Sequence, residues 1–180
     1  MIKGEKTLRT FVVLGMHRSS TSAIAKGMAD QSIFMGKPDP SHKHTQHYEI
    51  LAEDPDFTFM NNKIMYACGD YEWYNPPPVE VVRGVGWKFR KDIKDLIRSK
   101  ERSPFWGWKD PRTCLTIDAY LPHLINPHFI VCIRNPLDVA KSLQRRNGFS
   151  IEQGVNLAKV YNQRILDFLN NNINEAYEWV

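Results

Sequence analysis

Three short groups of residues in this chain carry types and spacings suited to chemistry. The first is GMHRSSTS, Gly15 to Ser22, where an apolar run from Phe11 to Leu14 stops at a glycine and turns into hydroxyl-bearing residues. A helix starting there aims unpaired backbone N–H groups and the positive end of its dipole at one point. Ser19, Ser20, Thr21 and Ser22 add N-cap candidates and hydroxyl donors, and Arg18 adds a forked cation whose geometry matches a phosphate or sulfate. The second group is WKDPR, in which Lys109 closes an apolar stretch and is followed by Asp110, Pro111 and Arg112. The third is FIVCIRNPLDVAKSL, in which Arg134 ends a strand-like run and Ser142 follows eight positions later, on the second turn of the helix that Pro136 opens. His47 and Glu49, in HYE, are the nearest candidates for accepting a proton. The strict nucleotide-binding pattern GxxxxGK[ST] is absent, because Ser20 and Thr21 stand where it requires glycine and lysine.

Elements able to hold these groups alternate along the chain. Phe11–Leu14, Phe105–Lys109 and His128–Ile133 read as buried strands, with a further short strand expected at Ile33–Met35. Helices are expected from Thr21 to Asp30, from an Asp54 cap and Pro55 to Gly69, from Trp87 to Arg98, from Thr113 to Leu124, from Asn135 to Gly148, and from Ser150 to about Leu169. Phe57, Met60, Ile64 and Cys68 recur at helical spacing as one buried face, and Ser150 with Gln153 forms a capping box. WYNPPP at 73–78 reads as a stiff loop. Alternating strands and helices imply an α/β fold, three layers α/β/α around a short parallel sheet.

A chain of 180 residues fits one domain, and 42% hydrophobic with 24% charged residues excludes the composition of disorder. The net charge of +4 suits an anionic ligand, while no Lys/Arg run is dense enough for nucleic acid. The polar start and the short apolar run after it predict a cytoplasmic protein with no membrane span. Cys68, Cys114 and Cys132 read as reduced thiols. His42, His44 and His47 read as a polar loop rather than a metal site, since no Cys or acidic pair sits at ligand spacing.

Read together, GMHRSSTS, WKDPR and FIVCIRNPLDVAKSL resemble the sulfotransferases that use 3'-phosphoadenosine 5'-phosphosulfate (PAPS), in their bacterial form with HRSxTS and KDPR motifs. The resemblance runs more weakly through HYEILAEDPDFTFMNNKIM and the Tyr161 helix, from Phe11 to about Leu169. It implies a P-loop NTPase-like architecture with PAPS as cofactor and a small-molecule or carbohydrate acceptor bearing a hydroxyl or amine. Arg134 and Ser142 would then hold the 3'-phosphate, and Gly15, Arg18, Ser19, Ser20, Thr21 and Ser22 the 5'-phosphosulfate. Arg18 and Lys109 would stabilise the leaving phosphate, with Glu49 or His47 as base. Members usually have glycine where Ser20 stands, and the cytosolic branch has lysine at Arg18 and Lys-Thr-His where this chain has Lys109, Asp110 and Pro111. The family generally continues beyond the last helix with another strand. Residues 1–180 are thus expected to form one sulfotransferase-like domain, either minimal or lacking the usual C-terminal part.

Two other readings share these residues. A P-loop kinase would need a carboxylate for Mg²⁺ at a strand end. Asp110 is a candidate, although it reads better as structural, and the strand from Phe129 ends in Arg134 instead. A noncatalytic nucleotide-binding protein would use the same cations without turnover. Trp73, Tyr74, Trp87 and Trp106 are open to either reading, as a stacking surface for an acceptor or as core.

Overall fold

The computed structural model describes residues 8–36 and 52–172. Strands β1 (Arg9–Gly15), β2 (Phe105–Lys109) and β3 (Pro127–Cys132) form one parallel sheet in the order β2-β1-β3. β1 is central, paired with β2 along one edge and β3 along the other. Its alternate side chains feed two opposite faces, as a strand covered on both sides requires. Val12 and Leu14 join the main core with Trp106, Trp108, Phe129 and Val131. Val13 points the other way, against Ala25 and Met35.

The register places Val13 beside both Lys109 and Ile130, so the three strands end at nearly the same level. Gly107 lies opposite Phe11, and a Cβ there would come within 2.2 Å of the Phe11 carbonyl oxygen. No other residue fits that position without moving a strand.

Helix α1 (Thr21–Asp30) covers the Val13 face. Helix α2 (Pro55–Ala67) starts as expected: Asp54 accepts from the Asp56 N–H at 2.9 Å, Pro55 takes the first position, and Gly69 with φ 112° follows the end. The structure departs from these expectations at several places. Ile33–Met35 makes only a single bridge from Phe34 to Trp106 on the outer edge of β2, because Ser32 (φ 65°) and Gly36 (φ 95°) turn the chain away on either side. Helix α3 (Val79–Gly86) forms directly after the proline loop, where Gly84 and Gly86 mask its helical pattern; Gly86 is close-packed, its Cβ position 3.0 Å from Ala119. The helix expected from Trp87 opens with a 3₁₀ turn and becomes α-helical as α4 only over Arg90–Lys100.

Helix α5 (Thr113–Tyr120) gives way to a 3₁₀ turn at Leu121–His123, since Pro122 has no N–H to continue the ladder. Helices α6 (Pro136–Asn147) and α7 (Ile151–Asn172) pack closely where Gly154 meets Ala140; a Cβ there would come within 2.7 Å of the alanine methyl. The capping box is present, with Gln153 N–H donating to Ser150 Oγ at 3.1 Å and Ser150 N–H to Gln153 Oε1 at 3.0 Å. No described helix is long and apolar enough to cross a membrane.

Beneath β2 the core is aromatic and polar at once. Phe57 and Trp108 stack at 4.2 Å with an interplanar angle of 5°, and Tyr120 and Trp106 complete the group. Asn61, fully buried, donates to Thr113 Oγ1 at 3.1 Å and accepts from Thr116 Oγ1 at 2.7 Å and Tyr120 OH at 2.8 Å. Trp108 Nε1 donates to the same Thr113 hydroxyl at 3.0 Å. A satisfied network of this kind fixes α2 and α5 against β2, and therefore fixes the turn that carries Asp110 to Arg112.

Candidate functional site

The turns after β1, β2 and β3, the start of α1 and the last turn of α6 surround a cleft of about 290 Å³. Five cationic side chains line it: Arg18, Lys109, Arg112, Arg134 and Arg146. Among the described residues its single lining carboxylate is Glu53. This is the polarity of an anion site, and a concave, partly buried setting strengthens it.

The loop between β1 and α1 shapes one wall. Gly15 is required by crowding, since a Cβ would meet Thr21 at 2.6 Å and the Cys132 carbonyl at 2.8 Å. Arg18 (φ 70°) and Ser20 (φ 64°) are both left-handed, a conformation costing about 1–2 kcal/mol per residue without glycine's freedom. Ser20 is the N-cap of α1, yet its hydroxyl makes no cap hydrogen bond, so the expected serine cap is a positional cap only. Thr21 and Ser22 face the cleft as the first residues of the helix, where their N–H groups have no intrahelical partner. Gly15 and Ser19 lie behind the wall; Ser19 is buried.

The second wall is the end of β2. Lys109 is 1% exposed, with Nζ 2.8 Å from Glu53 Oε1 and 3.3 Å from Ser22 Oγ. Burial, and then the nearby Asp110, push the Glu53 carboxyl up from the usual range, against the pull of Lys109. Asp110 is wholly buried, which opposes its charge. The Arg112 guanidinium and backbone N–H hold it below the usual range nonetheless, with Arg112 Nη1 at 3.0 and 2.9 Å from its two oxygens. Asp110 is thus committed to Arg112. His17, tilted against Trp73 at 4.5 Å, is pushed down to about 3 by burial and by Arg112, so it is neutral around neutral pH. Its Nε2 is sealed from solvent and unpaired among the described residues.

The third wall holds Arg134 and α6. Arg134 Nη1 donates to the Arg18 carbonyl at 3.1 Å, and Arg18 Nε donates to Ser142 Oγ at 2.8 Å. The structure therefore brings Arg134 and Ser142 together through Arg18. Ser142 is 4% exposed and sits behind Arg18 rather than on the cleft surface. Asn135 caps α6 by accepting from the Leu137 N–H at 2.9 Å, which sets the direction of both Ser142 and Arg146.

Glu53, Arg112, Arg146 and His17 are site residues without an assigned role in the sequence reading. Arg146 stands one helical turn beyond Ser142, a spacing that signals a shared face. Glu53 has no comparable signal. His47 and Glu49, like His42 and His44, fall outside the described residues. Among the described residues no three His, Cys, Asp or Glu side chains are grouped to hold a metal ion. Of the aromatics, Trp106 is core, Trp87 lies 61% exposed, and Trp73 touches the site through His17 while packing with Tyr74 and Phe149. Comparison with protein-family models, curated proteins and solved structures finds no match to this chain.

Proposed function

We propose that this protein is a P-loop-like sulfotransferase, moving a sulfuryl group from PAPS to a hydroxyl or amine of a small-molecule or carbohydrate acceptor in the cytoplasm. The observation that carries the reading is the convergence of Arg18, Arg134 and Ser142, from two different strand ends, on one hydrogen-bonded unit beside Lys109. A nucleotide with phosphates at both ends of its ribose needs cations at two linked places, and this unit offers them.

The residues present fit a polyanionic cofactor. Lys109 and Ser22 would hold the 5'-phosphosulfate over the start of α1, with Arg18 between that group and the 3'-phosphate. Arg134 would hold the 3'-phosphate, and Ser142 would join it by turning its hydroxyl from Arg18. When bound, PAPS supplies the sulfuryl group and carries away the negative charge of the broken S–O bond. Arg18 and Lys109 are the fixed cations for that charge, and holding them in place before reaction is worth more than adding mobile ones. A base, Glu49 or His47 by the resemblance, would take the acceptor's proton; Glu49→Gln is expected to lower turnover by roughly a hundredfold with cofactor affinity intact.

The kinase alternative is disfavoured because both oxygens of Asp110 are engaged by Arg112 and are not offered to Mg²⁺. A noncatalytic nucleotide-binding protein is the second reading, favoured by the pairing of Lys109 with Glu53. Labelled PAPS incubated with a panel of phenol, sugar and amine acceptors separates the two. Labelled product formed in the presence of a chelator supports the enzyme. Tight binding of 3',5'-adenosine bisphosphate (PAP) with no transfer to any acceptor supports the binder, and Mg²⁺-dependent phosphoryl transfer from ATP with none of sulfate from PAPS overturns both.

A further inference from the structure

We propose that Glu53 is the resident counter-ion of Lys109, displaced when a phosphate or sulfuryl oxygen reaches the ammonium, so that filling the cleft puts a proton on Glu53. This deepens the proposed function and rests on it only insofar as the cleft receives an anion.

The geometry sets up the exchange. Lys109 Nζ bridges Ser22 on one side, at 3.3 Å, and Glu53 on the other, at 2.8 Å. An anion seated at the start of α1 arrives beside Ser22 and shares that ammonium with Glu53, which lines the same cleft. A second anion beside the same cation disfavours the ionised form of the carboxyl, the more so in a partly desolvated place.

Among the described residues, the charged surroundings of Glu53 offer it no partner as close as Lys109. From β2 and the turn after it come Lys109, Asp110 and Arg112, and Arg112 is bonded through Nη1 to both oxygens of Asp110. From the loop before α1 come His17, which is neutral, and Arg18, which is bonded to Ser142. Arg134 and Arg146 lie on the α6 side, with Arg134 on the Arg18 carbonyl. Asp54, next in the chain, turns away to Lys100 at 2.7 Å. Burial and Asp110 already favour the protonated form of Glu53 before any ligand enters, with Lys109 as the opposing pull. Removing that pull completes the shift. Anion affinity should therefore rise as pH falls, and the carboxylate should act as a competitor at high pH.

The experiment is calorimetric titration of PAP into the full chain, repeated in two buffers of different ionisation enthalpy. At about pH 8 the ligand's own phosphates hold few protons. The wild-type protein should take up a measurable fraction of a proton more than Glu53→Gln. The variant should bind PAP about tenfold tighter than wild type at about pH 8, with the gap closing as pH falls. A second arm titrates inorganic sulfate, which has no titrating proton in this range, into the same two proteins. Its affinity for wild type should rise on acidification more steeply than for Glu53→Gln, whether or not PAP binds. Equal proton uptake, or a Glu53→Gln protein of unchanged melting temperature that binds both anions no tighter, overturns the proposal and leaves Glu53 as a fixed partner of Lys109. Should Glu53→Gln melt low, wild-type sulfate affinity that is flat with pH overturns it equally. Failure of PAP to bind while sulfate shows the linkage removes the sulfotransferase reading and keeps this one.

Discussion

Arg18 donates through Nε to Ser142 Oγ at 2.8 Å, joining residues 124 apart in sequence. The same arginine accepts through its carbonyl from Arg134. One residue thus ties the loop before α1 to the start of α6, and whatever displaces the Arg18 side chain frees the Ser142 hydroxyl. The two halves of the proposed nucleotide site are mechanically linked.

That link makes the 3'-phosphate the sharpest test. PAP is expected to raise the melting temperature well above the effect of AMP or ADP at equal concentration, since a ligand of the folded state stabilises it in proportion to its affinity. Arg134 and Ser142 together should discriminate by about 2–5 kcal/mol, and Arg134→Ala should erase most of the difference by weakening PAP alone. Equal shifts from all three nucleotides would remove the assignment.

Lys109→Ala should lower turnover about a hundredfold or more, and PAP affinity far less, because its charge matters most as the leaving oxygen becomes negative. Labelled-PAPS kinetics alongside PAP titration checks this. The substitution also strands Glu53 without its partner, so the double variant Lys109→Ala, Glu53→Gln should melt higher than Lys109→Ala alone.

His17 makes stability depend on pH. Its ordinary value of 6.5 is lowered to about 3 in the folded chain, so below 6.5 the unfolded state binds a proton that the folded state does not. Its own contribution to stability should therefore fall on acidification, by up to about 1.4 kcal/mol per pH unit, or about 1.6 kcal/mol from pH 6.5 to about 5, while Glu53 and Asp54, both raised, act in the opposite direction. Asp110, lowered from 3.8, adds its own loss only below that window. Urea unfolding at the two pH values measures the effect, and in His17→Gln the difference should shrink by most of that amount.

Asn61→Ala should destabilise the fold by about 2–4 kcal/mol, because it leaves the Thr116 and Tyr120 hydroxyls without their shared acceptor in a buried place. Equilibrium denaturation gives the value. A loss under 1 kcal/mol would show that the network is replaced rather than broken.

Much of this architecture was legible because its signals are local. An apolar run ending in Gly15, Lys109 or Arg134 marks a strand tip, and Asp54–Pro55, Asn135–Pro136 and Ser150–Gln153 mark helix starts by side-chain chemistry that acts within four residues. Helix α3 escaped because two glycines dilute it, and Ile33–Met35 shrank to a bridge because positive-φ residues flank it. In the site, Arg18, Lys109 and Arg134 could be read from strand tips. Glu53 could not, since its role exists only through a contact to Lys109, 56 positions away, and no pattern in AEDPD announces that contact. Ser142 was singled out through the family resemblance, while its present partner, an arginine from the first loop, was not legible.

Gly107 gives the cleft an unexpected rigidity of height. Side chains alternate along a strand, so sliding β2 by one residue would turn Lys109 off the cleft side and raise Trp108 in its place. The missing Cβ of Gly107 opposite Phe11 admits one alignment of the two strands and penalises its neighbours. The altitude of the ammonium above the sheet is therefore set like a tooth in a ratchet, several residues below the cleft. Insertions in the connection before β2 leave it untouched, whereas a single residue added or removed within Phe105–Lys109 would dismantle the cleft while leaving each of its side chains in the sequence.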